Sequence, residues 1–190
     1  EIYEWIVFDG FRHTSLASLS KEVQNNCVVI NGVSKCYAMT GWRIGYIAAD
    51  AEIVKQVNKL QGQSTSNPCS ISQAASIEAL TGPHDDVKEM VRQFEKRRDI
   101  VVKMLTDIPG VACNKPKGSF YSFPDFSSLY GKKDGNGKTL NGSLEFTEYL
   151  LTTKKVAIVP GIAFGADNHA RLSFAASLDK IEEGIKRIQE

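Results

Sequence analysis

The sequence lacks an excess of charge of either sign. Its 190 residues include 23 lysines and arginines against 22 aspartates and glutamates, which leaves a net charge of +1. No strong electrostatic field therefore attracts nucleic acid or an anionic membrane. The sequence also lacks any apolar run that approaches the roughly 20 residues needed to span a bilayer. We predict neither a nucleic-acid partner nor a membrane partner.

Cysteine and histidine are scarce as well, with four and three residues respectively. The cysteines form no Cys-x-x-Cys pair, and the histidines are scattered without metal-ligand spacing. A chain of this length with so few cysteines does not depend on a disulfide framework. We therefore expect reduced thiols in a cytoplasmic protein and no metal site.

Apolar periodicity predicts an α/β first half and a smaller α+β second half, joined by a long helix at about 86–107. A continuous β-branched run at 27–30 predicts a strand buried on both faces, as in a parallel sheet. Further strands are predicted at 5–9, 43–49, 111–113, 120–123, 156–159 and 171–174, and further helices at 51–62, 70–80, 143–153 and after residue 177.

The densest chemical signal surrounds Lys35, in a polar loop at the carboxyl end of the predicted strand 27–30. Ligands of open α/β sheets bind outside such strand ends. Ser34 adds a hydroxyl group, and Arg43 adds a rigid guanidinium suited to a phosphate. A nucleophilic lysine beside a phosphate site is what a pyridoxal phosphate Schiff base requires. On spacing alone, a loop lysine and a strand arginine in unrelated ion pairs remain an alternative.

The segment 34–45 resembles the lysine motif of class I/II aminotransferases, which are pyridoxal phosphate enzymes of fold type I. It reads Ser-Lys-Cys-Tyr-Ala-Met-Thr-Gly-Trp-Arg-Ile-Gly. Segments 1–4, 64–68, 118–121 and 170–175 resemble further parts of the same family. The resemblance thus extends over essentially all 190 residues.

The resemblance implies a role for each of five residues. Lys35 would be the Schiff-base lysine and would shuttle the proton of transamination. Ser34 and Arg43 would bind the phosphate of pyridoxal 5'-phosphate, and Tyr3 would hydrogen-bond its phenolic oxygen. Arg171 would hold the substrate α-carboxylate in a bidentate pair. The substrates would be an amino acid and a 2-oxo acid.

The resemblance also implies that the chain is similar to the C-terminal half of an aminotransferase. Residues 1–93 would be the C-terminal part of the large cofactor domain, with a mostly parallel sheet, and 94–190 the small α+β domain. The family aspartate that pairs with the pyridine nitrogen would sit one position before Glu1. We therefore expect the 190-residue chain alone to lack competent transamination, and the full-length protein to be a homodimer.

Two other interpretations share these motifs. A pyridoxal phosphate-dependent lyase of the same fold would use the same lysine and phosphate-binding residues. A non-catalytic, ligand-sensing domain of a regulator could be built on the same fold. Product analysis would separate the first alternative from a transaminase, and the sequence upstream of Glu1 would separate the second.

Overall fold

A computed structural model describes residues 1–135 and 137–190 of the chain. Within this part the chain divides into two compact units, Glu1–Val91 and Arg92–Glu190. The division falls two residues before the boundary predicted from the sequence. Among the described residues no helix is long and apolar enough to cross a membrane, and no cluster of His, Cys, Asp and Glu could hold a metal ion.

The strands of the first unit form an antiparallel pair. β1 (Val29–Gly32) pairs with β2 (Gly45–Ala48), with Gly32 opposite Gly45. Ile30 is 66% exposed, so β1 is not buried on both faces. The prediction of a mostly parallel sheet is therefore wrong for the strands that the structure describes. A β-branched run favours an extended strand, but it carries no information about the direction of the partner.

The predicted strand at 5–9 is also wrong, because this segment lies between two turns. The backbone N–H of Ile6 donates to Tyr3 O at 2.9 Å, and that of Phe11 donates to Phe8 O at 2.9 Å. Ile6 and Phe8 are buried, and the short apolar run that contains them produced the strand signal.

The helices of the first unit are α1 (Lys21–Asn25), α2 (Ala51–Ser64) and α3 (Ser70–Thr81). Sequence periodicity predicted α2 and α3 within two residues, and both are confirmed. The Asp50 side chain caps α2 by accepting from the backbone N–H of Glu52 at 2.9 Å. Periodicity missed α1, because five residues are too few to show a repeat.

The second unit combines a three-stranded antiparallel sheet, in the order β3-β5-β4, with helices. The long helix α4 runs from Asp85 to Thr106, within one residue of its predicted ends, and belongs to both units. The predicted strand at 111–113 is reduced to a single bridge between Ala112 and Asp125. The other elements are β3 (Tyr121–Ser122), α5 (Ser143–Tyr149), a π-helical segment (Leu150–Lys154), β4 (Val159–Pro160), β5 (Ala170–Ser173) and α6 (Leu178–Gln189).

The core of the second unit includes one charged side chain. Arg98 of α4 is fully buried, although it stands in the run of charged residues Glu95-Lys96-Arg97-Arg98-Asp99. Its guanidinium lies 2.9 Å from a carboxylate oxygen of Asp99 and donates to the carbonyl oxygen of Pro116 at 3.2 Å. These partners compensate for the loss of hydration of the buried charge.

We predict that the substitution Leu105→Ala lowers the free energy of unfolding by about 2–5 kcal/mol, because it opens a cavity at a fully buried position of α4. Leu144→Ala is the matched control, since Leu144 is 60% exposed on α5 and its loss should change stability by less than about 0.5 kcal/mol. Urea unfolding followed by circular dichroism measures both. Equal losses for the two variants would contradict this packing.

Candidate active site

The connection between β1 and β2 carries the candidate lysine. Val33, Met39 and Ile44 form one buried apolar cluster, against which Ala75 and Ala79 of α3 pack. These buried anchors fix the path of the connection. Ser34 and Lys35 are half-buried and lie between two buried neighbours, Val33 and Cys36.

Gly32 is the last residue of β1 and has no room for a side chain. A Cβ atom there would lie 2.8 Å from Ile44 O, 3.2 Å from Gly45 Cα and 3.2 Å from Ile2 Cδ1. Two of these three atoms are backbone atoms of the far end of the connection. Only glycine therefore lets the connection close directly before the lysine segment.

Asn31 ties the first residues of the chain to the same end of β1. It is buried, and its Nδ2 donates to Glu4 Oε1 at 2.6 Å, while its Oδ1 accepts from the backbone N–H of Gly32 at 2.8 Å. The structure thereby brings the segment of Tyr3 to the end of β1 from which the chain continues to Lys35. Sequence analysis missed Asn31, although a polar residue directly after a buried strand is a usable signal.

Arg43 stands at the far end of the connection in a left-handed backbone conformation, with φ of 55°. It is exposed, and its Nη1 donates to Thr40 O at 2.8 Å. Ala38 in the same connection also has a positive φ, of 54°. Such conformations cost non-glycine residues about 1–3 kcal/mol and cluster at functional sites.

The thiol next to Lys35 is a weak nucleophile at neutral pH. Cys36 is only 3% exposed, and burial raises the pKa of its thiol to about 11. At neutral pH this side chain therefore carries its proton and acts as a small apolar group.

In the second unit, Arg171 of β5 contacts two aromatic rings. Its guanidinium carbon is 4.4 Å from the centre of the Tyr121 ring and 4.8 Å from the centre of the Phe164 ring. Within residues 1–135 and 137–190 the guanidinium makes no hydrogen bond or ion pair. Cation–π contacts of this kind use none of the hydrogen-bonding capacity of the guanidinium, so its N–H groups stay available to an anion.

A tight loop holds Phe164 against Arg171. A Cβ atom at Gly161 would overlap the carbonyl oxygens of Ala166 and His169, so the loop closes only with glycine there. The buried Ser143 hydroxyl donates to Asp167 Oδ1 at 2.6 Å and accepts from the backbone N–H of Ile162 at 3.0 Å.

The electrostatics of this loop follow from the same contacts. Hydrogen bonds from the hydroxyl and the backbone N–H of Ser143 lower the pKa of Asp167, so the carboxylate stays ionised. Sequence analysis missed Tyr121, Phe164 and Asp167 as part of this arrangement. The glycine of the Val-Pro-Gly segment at 159–161 was the signal that could have drawn attention to the loop.

The chain belongs to the aminotransferase class I and II family, whose model matches residues 1–188. This family depends on pyridoxal 5'-phosphate. The resemblance inferred from the lysine motif is therefore confirmed. The mixed arrangement of helices and sheets agrees with the solved structures of fold type I aminotransferases that the chain resembles.

Individual relatives are similar along the whole chain. It is 44% identical over 189 residues to a probable aspartate/prephenate aminotransferase of Rickettsia bellii, covering 100% of this chain and 47% of the relative. Against the crystal structure of the aspartate aminotransferase of Rhizobium meliloti, the TM-score is 0.95 at 45% identity, with 99% of this chain and 47% of that chain covered. Against an aromatic aminotransferase of Pyrococcus horikoshii it is 0.88 at 35% identity, with 99% and 48% covered. The chain thus spans about half the length of these relatives.

We predict that Gly32→Ala destabilises the chain by about 1–3 kcal/mol, because the new Cβ atom would force the backbone of Ile44 away from β1. Gly41→Ala in the same connection is the matched control, since no atom lies within 4 Å of a Cβ placed there. Thermal unfolding of both variants tests this. A Gly32→Ala variant as stable as Gly41→Ala would contradict the close approach.

Proposed function

We propose that this chain provides the catalytic lysine and the substrate-binding arginine of a pyridoxal phosphate-dependent transamination between an amino acid and a 2-oxo acid. The observation that carries the proposal is the placement of Lys35. It lies half-buried between buried neighbours, in a connection fixed at both ends, within a chain of the aminotransferase family. The aminotransferase names of the relatives favour transamination over a lyase reaction.

The residues of the first unit fit the cofactor by their chemistry. An amine, a hydroxyl, a guanidinium and a phenol belong to one compact unit, at or beside the connection that follows β1. Lys35 Nζ would hold the aldehyde carbon covalently, the Ser34 hydroxyl and the Arg43 guanidinium would bind the phosphate, and Tyr3 would donate to the phenolic oxygen. When bound, pyridoxal phosphate supplies a carbonyl carbon for the amine and a ring that withdraws electrons from the reacting bond.

Proton transfer falls to Lys35. After the substrate amine has displaced it, its Nζ would take the proton that leaves the α-carbon of the amino acid and would deliver it to the former aldehyde carbon of the cofactor. A positioned general acid–base of this kind contributes about 10²–10⁴-fold to the rate. The buried anchors of the connection serve this step, because they limit the positions that Nζ can sample.

Arg171 would bind the α-carboxylate of the substrate. A guanidinium presents two parallel N–H groups that match the two oxygens of a carboxylate. The aromatic rings of Tyr121 and Phe164 contact the guanidinium without forming hydrogen bonds to it, which supports this role. The relatives are named for aspartate, which makes aspartate the amino donor that we propose.

The assignment of the two units to enzyme domains belongs to the same proposal. We place residues 1–93 in the large cofactor domain and 94–190 in the small domain of a full-length enzyme. The absence of turnover by the 190-residue chain alone, its homodimeric full-length form and its cytoplasmic location stay predictions.

We predict that borohydride reduction of the chain in the presence of pyridoxal phosphate attaches the cofactor to Lys35, as mass spectrometry of the peptides would show. Lys35→Ala should abolish that adduct, because the amine is lost. Lys59→Ala should keep it, since Lys59 lies exposed on α2. Labelling spread evenly over exposed lysines, with none favoured, would contradict the assignment.

We predict that Arg171→Gln raises the dissociation constant of succinate, a simple dicarboxylate, by about tenfold or more, because a charge-assisted hydrogen bond of about 1.5–3 kcal/mol is lost. Titration followed by nuclear magnetic resonance measures it. Arg97→Gln is the matched control, since Arg97 also stacks on an aromatic ring, that of Phe94 at 5.7 Å. Unchanged succinate binding in Arg171→Gln would refute the role of Arg171.

A further inference from the structure

The imidazole of His84 lies where three segments of the first unit meet. Its ring centre is 4.9 Å from that of Trp5 and 5.8 Å from that of Tyr37. His84 itself is half-buried and directly precedes α4. His84 therefore joins the link between α3 and α4, to which it belongs, with the first segment of the chain and the lysine connection.

The hydrogen-bond partners of His84 favour a proton on Nε2. Nε2 lies 3.2 Å from Tyr37 Oη and 3.2 Å from the carbonyl oxygen of Ala79. A carbonyl oxygen only accepts, so a bare lone pair on Nε2 would face the lone pairs of Ala79. With a proton on Nε2, the ring donates to Ala79 O, and Tyr37 Oη accepts a share of the same proton. Burial raises the pKa of Tyr37, so the phenol stays neutral.

The two aromatic partners of His84 are near neighbours of two residues of the proposed cofactor site. Tyr37 follows Lys35 by two residues, within a turn in which the backbone N–H of Ala38 donates to Lys35 O at 3.3 Å. Trp5 follows Tyr3 by two residues, within a turn in which the backbone N–H of Ile6 donates to Tyr3 O at 2.9 Å. A displacement of the imidazole would therefore change the positions of both turns.

We infer that His84 is a positioning residue for the proposed active site, which holds the Lys35 and Tyr3 segments in register through Tyr37 and Trp5. The inference rests on the proposed function for the identity of that site. His84 acts through the donor at Nε2, not through contact with cofactor or substrate. Its function requires a hydrogen-bond donor at that point of the ring, and a filler of similar volume does not suffice.

Three substitutions of His84 distinguish a role as hydrogen-bond donor from a role as a side chain that only fills space. In His84→Gln the side-chain amide nitrogen can take the place of Nε2, in His84→Asn it corresponds to Nδ1, and His84→Leu offers volume without a donor. Hydrogen–deuterium exchange of the segment 33–39 should accelerate about fivefold in His84→Leu and His84→Asn, the factor equivalent to one hydrogen bond of about 1 kcal/mol. His84→Gln should stay within about twofold of the wild type.

The second measurement is the dissociation constant of pyridoxal phosphate, with the borohydride adduct at Lys35 as its chemical check. It should rise about fivefold in His84→Leu and His84→Asn and recover in His84→Gln, by the same conversion. Tyr37→Phe removes one of the two acceptors of His84, the one that belongs to the lysine connection, and should shift both measurements in the same direction as His84→Leu. Global unfolding of all variants provides the structural reference.

The outcomes are distinct for the two proposals. Unchanged exchange in His84→Leu would overturn the positioning role, as would losses in all three His84 variants that merely follow their free energies of unfolding. A wild-type chain that forms no adduct at Lys35 would overturn the proposed function. In that case the exchange of the segment 33–39 still decides whether His84 holds the connection.

Discussion

The close approach of two backbones at Gly32 is the constraint on which the candidate lysine site depends. A missing side chain at this one position lets the end of β1 lie against Ile44 and Gly45 at the start of β2. The twelve residues of the connection, 33–44, are thereby closed at both ends, and Val33, Met39 and Ile44 among them pack in a buried cluster with residues of α3. Ser34 and Lys35, which lie between the buried residues Val33 and Cys36, are half-buried as a result.

The second unit also contains a close backbone contact that only glycine permits. Gly161 permits another close backbone contact, and the buried Ser143 fastens the loop that follows it through Asp167 and Ile162. The result is an aromatic ring placed against the guanidinium of Arg171. In both units a glycine permits a close backbone contact, at the end of the lysine connection in the first unit and in the loop that carries Phe164 in the second.

Much of the helical structure could be predicted from the sequence, because amphipathic periodicity reports directly on burial. The bounds of α2, α3 and α4 follow from apolar spacing and from cap residues such as Asp50. The pairing of strands could not be predicted, since the run at 27–30 is equally compatible with a parallel and an antiparallel partner. The burial of Arg98 could not be predicted either, because a charged residue on a helix is normally expected to be exposed. Only the three-dimensional structure shows the oxygen atoms that compensate for the burial of its charge.

The candidate site likewise contains residues that the sequence could predict and residues that it could not. Lys35, Ser34 and Arg43 are close in sequence and form a motif, so pattern alone brings them to attention. The sequence pattern does not identify Asn31 and His84, because the partners Glu4 and Tyr37 lie 27 and 47 residues away along the chain. Supporting residues of this kind are defined by contacts, and a single sequence does not record contacts between distant positions.

The buried thiol of Cys36 has a consequence for chemical selectivity. Thiolates add readily to aldehydes, so a reactive sulfur beside the lysine would be a rival nucleophile for the carbonyl group that the proposed function brings there. With a pKa of about 11, only about one molecule in ten thousand carries the thiolate at pH 7. The packing around Cys36 thus suppresses a rival sulfur nucleophile beside the lysine before any aldehyde arrives.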